Sequence, residues 1–194
     1  MSRTSDKRVR LMEAAQVLIH QKGFYLTTLA DIAEVSGVPL GNVYYYFKTK
    51  EAIGEMVISH WSTVFHDQRV ALDSRIDVMS RLMGYVEYQM EKTAEYVKYG
   101  CPVGSLCQEL SKYGGNLANL SASLIHSTLE WSNHQFEALG FTGRTAETLG
   151  TQFIARIQGG ILLAHTFHDP KQMEIMQQGL KAWLKSLVNE KMAA

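Results

Sequence analysis

No apolar run in this sequence approaches the ~20 residues that a membrane-spanning helix needs. The opening MSRTSDKRVR has no apolar stretch of the signal-peptide kind. No membrane partner and a cytoplasmic location are therefore expected. Cysteine is scarce: Cys101 and Cys107 are the only two, which excludes a disulfide scaffold. Proline is scarce as well, with three in 194 residues, and no Pro- or Ser-rich linker divides the chain. The polar–apolar alternation of strands is almost absent. Net charge is absent too, because 19 Lys and Arg balance 19 Asp and Glu. A zero balance argues against a nucleic-acid partner, but the charges are unevenly spread. Residues 1–50 hold seven Lys/Arg against four acids, and the remainder holds twelve against fifteen. A basic end on an acidic body suggests two regions with different partners.

What is present is helical spacing. Leu11, Ala14, Ala15, Leu18 and Ile19 make one amphipathic stripe. Gly23 is placed to end that helix, and Thr27 to cap the next, whose stripe is Leu29, Ile32 and Ala33. Ser36-Gly37 breaks the second helix, and Pro39 opens a third that runs to about Lys48. Thr49 caps a long helix from Lys50 to about Val70. Further helices are expected near 75–98, 103–112, 119–139, 144–167 and 170–190, the last capped by Asp169 ahead of Pro170. The fold class is all-α, with about nine helices. An apolar content of 46 % is ample for a core. Residues 1–50 form an N-terminal three-helix domain, and residues 51–194 a helical second domain joined through the long helix.

The stretch GNVYYYFKTK, residues 41–50, carries three consecutive tyrosines that cannot share one core. On a helix at 100° per residue, Val43 and Phe47 face inward, with Leu40 and Tyr46 at the borders. Gly41, Tyr45 and Lys48 face outward, flanked by Asn42 and Tyr44. Gly41 weakens a helix by up to ~1 kcal/mol relative to alanine, which makes sense if another surface must approach its backbone. Two short helices joined by Ser36-Gly37-Val38-Pro39 are a helix-turn-helix arrangement, whose second helix lies in the DNA major groove. Tyrosine hydroxyls and lysines suit phosphate.

The segment TTLADIAEVSGVPLGNVYYYFKTKEAI strongly resembles the DNA-binding domain of the TetR family of bacterial transcriptional repressors, over about residues 7–55. The resemblance implies a ligand-responsive regulator, not an enzyme, released from a palindromic operator by a small molecule. It places Thr28 on phosphate, Leu40, Gly41 and Asn42 at base edges, and Tyr44, Tyr45, Tyr46 and Lys50 on the phosphate backbone; Lys48 joins them from the outward face. It also implies a homodimer.

The rest of the chain fits that expectation. Residues 144–167 are rich in small residues, and the final helix carries a broad stripe of Met173, Met176, Leu180, Trp183, Leu184 and Leu187. These two helices could pair with their mates across a twofold axis, giving a homodimer through residues 144–190. Tyr85, Tyr88, Trp131, His134, Phe153 and Gln158 combine aromatic surface with polar tips, as an inducer pocket between helices would. Ordinary core roles explain each of them individually as well. His165, His168 and Asp169 have ligand-like spacing, but no further ligand is identifiable, so no metal and no cofactor is expected. No nucleophile, base and orienter come together.

Cys101 stands just before Pro102 at a helix start, beside Lys98, where the helix dipole favours a thiolate. The GCPVGSLCQELS stretch resembles a TetR subgroup that includes repressors of electrophile and oxidant responses, some acting through a cysteine at this place. The competing reading is a small apolar residue lining or supporting the pocket. Cys107 lies ~9 Å further along one regular helix, too far for a bridge. A helical enzyme, or an interaction module with a vestigial helix-turn-helix, is the alternative function. Salt-sensitive operator binding released by a metabolite separates them.

Overall fold

The computed structural model describes residues 3–192, and the described residues form helices joined by turns and short irregular segments. In chain order the helices are α1 (Arg3–Lys22), α2 (Leu29–Ser36), α3 (Leu40–Tyr46), α4 (Lys50–Asp73), α5 (Val78–Glu91), α6 (Thr93–Tyr99), α7 (Pro102–Ser111), α8 (Asn116–Ala138), α9 (Gly143–Phe167) and α10 (Lys171–Met192). The chain divides into two compact units. The first is Met1–Val64 with Pro102–Leu124; the second is Phe65–Cys101 with Ile125–Ala194. Both α4 and α8 contribute residues to each.

In the first unit, the α1 stripe buries Leu11, Ala14, Ala15 and Ile19. Gly23, at φ +89°, ends α1 in the left-handed region that suits glycine. The cap of α2 is Thr28 rather than the expected Thr27. Its Oγ1 accepts from the Asp31 N–H at 3.1 Å, and the Asp31 carboxylate accepts from the Thr28 N–H at 2.8 Å. This is a reciprocal capping box. Thr27 is buried one residue earlier, donating its hydroxyl to the Gly23 carbonyl at 2.7 Å. Gly37, at φ +64°, closes α2. Helix α3 stops at Tyr46, two residues short of the expected end, because Phe47 is extended and buried. Thr49 Oγ1 accepts from the Ala52 N–H at 3.2 Å, at the start of α4. Helix α7 joins this unit through Val103, Leu106 and Leu110, all buried.

The second unit has an apolar core of its own. The single helix expected near 75–98 is two helices here. Lys92 departs from helical ψ, and the Thr93 hydroxyl donates to the Met90 carbonyl at 2.7 Å. Side-chain capping of this kind offers the backbone an alternative to the helical ladder. Helix α5 is capped by Asp77, whose carboxylate accepts from the Ser80 N–H at 2.8 Å. Helices α9 and α10 form a hairpin. Asp169 accepts from the Lys171 N–H and the Gln172 amide, both at 3.0 Å. The Gln172 contact first, then Lys171, holds its carboxyl below the ordinary value. Ile157, Ile161 and Ala164 of α9 face Met173, Met176 and Leu180 of α10 in one buried cluster. None of the helices among the described residues is long and apolar enough to cross a membrane.

Candidate functional site

The α2–turn–α3 segment carries one face of the first unit. Val43 is fully buried and Phe47 nearly so, while Tyr45 is 73 % exposed and Leu40, Tyr44 and Lys48 are also exposed. Asn42 is half-buried. Tyr46 stands at the border, its ring 5.3 Å from that of Tyr45, and it lines a groove with Met12, Phe47 and Met56. The period of the helix thus divides the three tyrosines as expected: two outward, one at the edge. A Cβ added to Gly41 would have no atom within 4 Å. Nothing among the described residues requires glycine there. The residue weakens α3 without improving its packing, as a surface kept clear for an approaching molecule would.

Thr28 lies exposed at the start of α2, with its hydroxyl engaged in the cap. The Lys22 ammonium meets Asp31 Oδ2 at 2.7 Å. That contact, followed by the hydrogen bonds from Thr28, lowers the Asp31 carboxyl to a pKa of about 2. A depressed carboxyl stabilises the fold fully above its unfolded value of 3.8 and ceases to do so as the pH falls toward about 2. Asp31→Asn should therefore be less stable than the wild type at neutral pH, and the gap should close between pH 3.8 and about 2. Thermal melting of both proteins across that window checks this; a constant gap would contradict it.

Lys50 is turned inward. Its ammonium donates to the Tyr25 carbonyl at 2.8 Å and lies 4.8 Å from the centre of the Phe24 ring. Burial lowers its pKa from the ordinary lysine value. On the other side of the same turn, Glu109 of α7 accepts from the N–H groups of Phe24 at 2.7 Å and Tyr25 at 2.8 Å. No spacing rule points to Glu109, which is 85 residues from its partner.

In the second unit, Tyr85 stacks on Trp131 at 5.4 Å and meets Phe153 at 5.9 Å, and all three are buried. Cys101 is half-buried against this core. Burial first, and then the neighbouring Cys101 thiol, pushes the Tyr85 and Tyr96 hydroxyls above the ordinary tyrosine range, so both stay neutral. Tyr88 and Gln158 are half-buried, and the Tyr88 ring lies under the Lys92 ammonium at 4.9 Å. His134 is exposed, because α8 turns Thr128, Trp131, Ser132 and Gln135 inward instead. Three polar groups were not evident from sequence. Gln89 accepts from the Tyr96 hydroxyl at 2.6 Å. Asp73 accepts from Trp131 Nε1 at 2.9 Å and Gln135 Nε2 at 3.3 Å. Gln135 Oε1 is buried with no hydrogen-bond partner among the described residues. No group of three or more His, Cys, Asp or Glu among the described residues could hold a metal. Neither cysteine forms a disulfide.

A family profile for bacterial regulatory proteins of the tetR family matches residues 11–55. The uncharacterised HTH-type transcriptional regulator YxaF of Bacillus subtilis is 28 % identical over 87 % of this chain and 90 % of its own length. The HTH-type transcriptional regulator LmrA of the same organism is 28 % identical over 83 % of this chain and 87 % of its own. Among solved structures, a TetR transcriptional regulator from Legionella pneumophila superposes with a TM-score of 0.83 at 19 % identity, covering 90 % of this chain and 95 % of that one. That likeness establishes the fold.

Proposed function

We propose that the chain is a helix-turn-helix transcriptional regulator of the TetR family, and that it is a cytoplasmic repressor released from a palindromic operator by a small molecule. Its residues 11–55 are similar to the family profile, and it is similar to YxaF and LmrA over most of its length. The observation that carries the DNA side is the outward face of α3, where a Cβ on Gly41 would meet nothing beyond its own helix backbone among the described residues and Tyr45 is exposed. Leu40, Gly41 and Asn42 address base edges; Thr28, Tyr44, Tyr45, Tyr46 and Lys48 address phosphates. Lys50 adds its charge from behind while it fixes the turn beneath it. Residues 1–50 are the reading domain. Residues 51–194 serve ligand binding and dimerisation, although their segments 51–64 and 102–124 are built into the first compact unit.

The ligand region is the Tyr85, Trp131 and Phe153 cluster, with Cys101, Tyr88 and Gln158 at its margin. Gln135, whose buried oxygen lacks a hydrogen-bond partner among the described residues, is its additional polar handle. His134 faces away from that cluster and is the weakest member of the set. A noncovalent inducer suits a half-buried Cys101 held against aromatic side chains.

The dimer uses α9 and α10. A shallow groove of about 280 Å³ runs between them, lined by Gly159, Leu163, Ile175 and Gly179 among others. Cβ atoms on Gly159 or Gly179 would meet nothing within 4 Å. Mid-helix glycines that serve no internal packing suit close approach by a second copy. Leu180 and Trp183 are poorer candidates for that surface. Leu180 is 1 % exposed within its own chain, and Trp183 is covered by the Arg156 guanidinium at 4.4 Å.

The testing experiment is a binding titration on DNA flanking the protein's own gene, followed by a metabolite screen for release. Tight, salt-sensitive binding that some compound reverses is expected. Failure to bind any such duplex would refute the proposal.

A further inference from the structure

The turn between α1 and α2 is held by two charged side chains from distant parts of the chain. Glu109, on α7, accepts both the Phe24 and Tyr25 N–H groups, at 2.7 and 2.8 Å. Lys50, at the start of α4, donates to the Tyr25 carbonyl at 2.8 Å and covers the Phe24 and Tyr25 rings. Three successive backbone groups of one turn are thus satisfied by a carboxylate and an ammonium. Backbone groups beyond a helix end otherwise depend on water. Gly23 makes the approach possible, since its Cβ would lie 2.9 Å from Glu109 Oε2. Tyr113, just past α7, adds a ring contact to Tyr25 at 4.3 Å.

We infer that Glu109 is a positioning residue for DNA reading: it fixes the α1–α2 turn, and through the turn the placement of α2 and α3, without touching DNA. The inference rests on the reading of α2 and α3 as the DNA-contacting pair. The carboxylate hydrogen bonds give it weight, because they are charge-assisted, the stronger kind.

The sign of the effect separates this role from simple electrostatics. Removing a negative charge from a DNA-binding unit should tighten its hold on phosphate. Loss of the clamp should weaken it. In Glu109→Gln one oxygen remains as an acceptor, but the amide NH2 faces an N–H donor. The test uses the full-length protein, a duplex from the flank of its own gene, titrations at several salt concentrations, and amide hydrogen exchange.

Glu109→Gln should bind at least about tenfold more weakly, with the salt slope of the wild type. Exchange at Phe24 and Tyr25 should quicken, while amides of the second unit stay protected. Glu109→Asp should fall between the two. Equal or tighter binding by Glu109→Gln would overturn the inference. So would unchanged exchange at Phe24 and Tyr25. A shift of about one in the salt slope would also overturn it, since that marks a lost phosphate contact. If Glu109→Gln does not fold, Glu109→Asp and the protection of these two amides in the wild type decide the matter. If the wild type binds no duplex, the DNA-reading proposal fails instead, and the exchange data still judge the clamp.

Discussion

Gly41→Trp should leave the protein folded, with its melting temperature unchanged or slightly raised, and should abolish specific DNA binding. The two halves of this expectation come from one observation. A Cβ at this exposed position meets no atom outside its own helix backbone within 4 Å among the described residues, so a side chain there can extend into solvent. Replacing a helical glycine also recovers part of the ~1 kcal/mol it forfeits relative to alanine. An indole there would stand between α3 and any surface the helix approaches. Affinity should drop toward the non-specific level, ~10³-fold or more below specific binding for DNA readers. Gly41→Ala, which adds one methyl group, should lose much less. Circular dichroism and an operator titration on the same samples check both halves. Tight binding by Gly41→Trp would remove α3 as the reader.

Ile175→Arg should give a folded monomer that has lost its operator. Ile175 is 61 % exposed on α10 beside Gly179, so an arginine there is solvated in the isolated chain and costs little stability. In a dimer built on this groove, two such charges would be brought together across the twofold axis and desolvated. Operator affinity should collapse with the dimer, because two linked readers gain from effective concentration and one does not. Light scattering and the titration report the two effects separately. The corresponding change at Leu180 would be uninformative, since a charge placed in that core position unfolds the chain. A dimeric Ile175→Arg would show that the interface lies elsewhere.

Local rules carried the reading of the first fifty residues a long way. The glycine stops, the long α4 and the division of the three tyrosines all follow from periods and punctuation within ten residues. The errors share a physical cause, which is that they depend on what lies across space. Thr27 and Thr28 are equivalent caps by sequence. Burial of Thr27 over the Gly23 carbonyl leaves Thr28 to cap α2. Periodicity finds the apolar stripe of α10 but not what it packs against: Met173, Met176, Leu180 and Leu184 are buried in their own chain's core, while Ile175, outside that stripe, faces out. His134 shares the composition of the aromatic cluster but lies on the wrong side of α8. Glu109 and Gln135 carry no local signal, because their partners are 85 and 62 residues away.

Footprinting of the full-length protein on the DNA flanking its own gene tests the central claim most directly, with Gly41→Trp run alongside. The account predicts two protected half-sites related by a twofold axis, centred a whole number of helical turns apart, and no protection by the variant. A single unsymmetrical footprint, no footprint, or the same footprint from both proteins would contradict it.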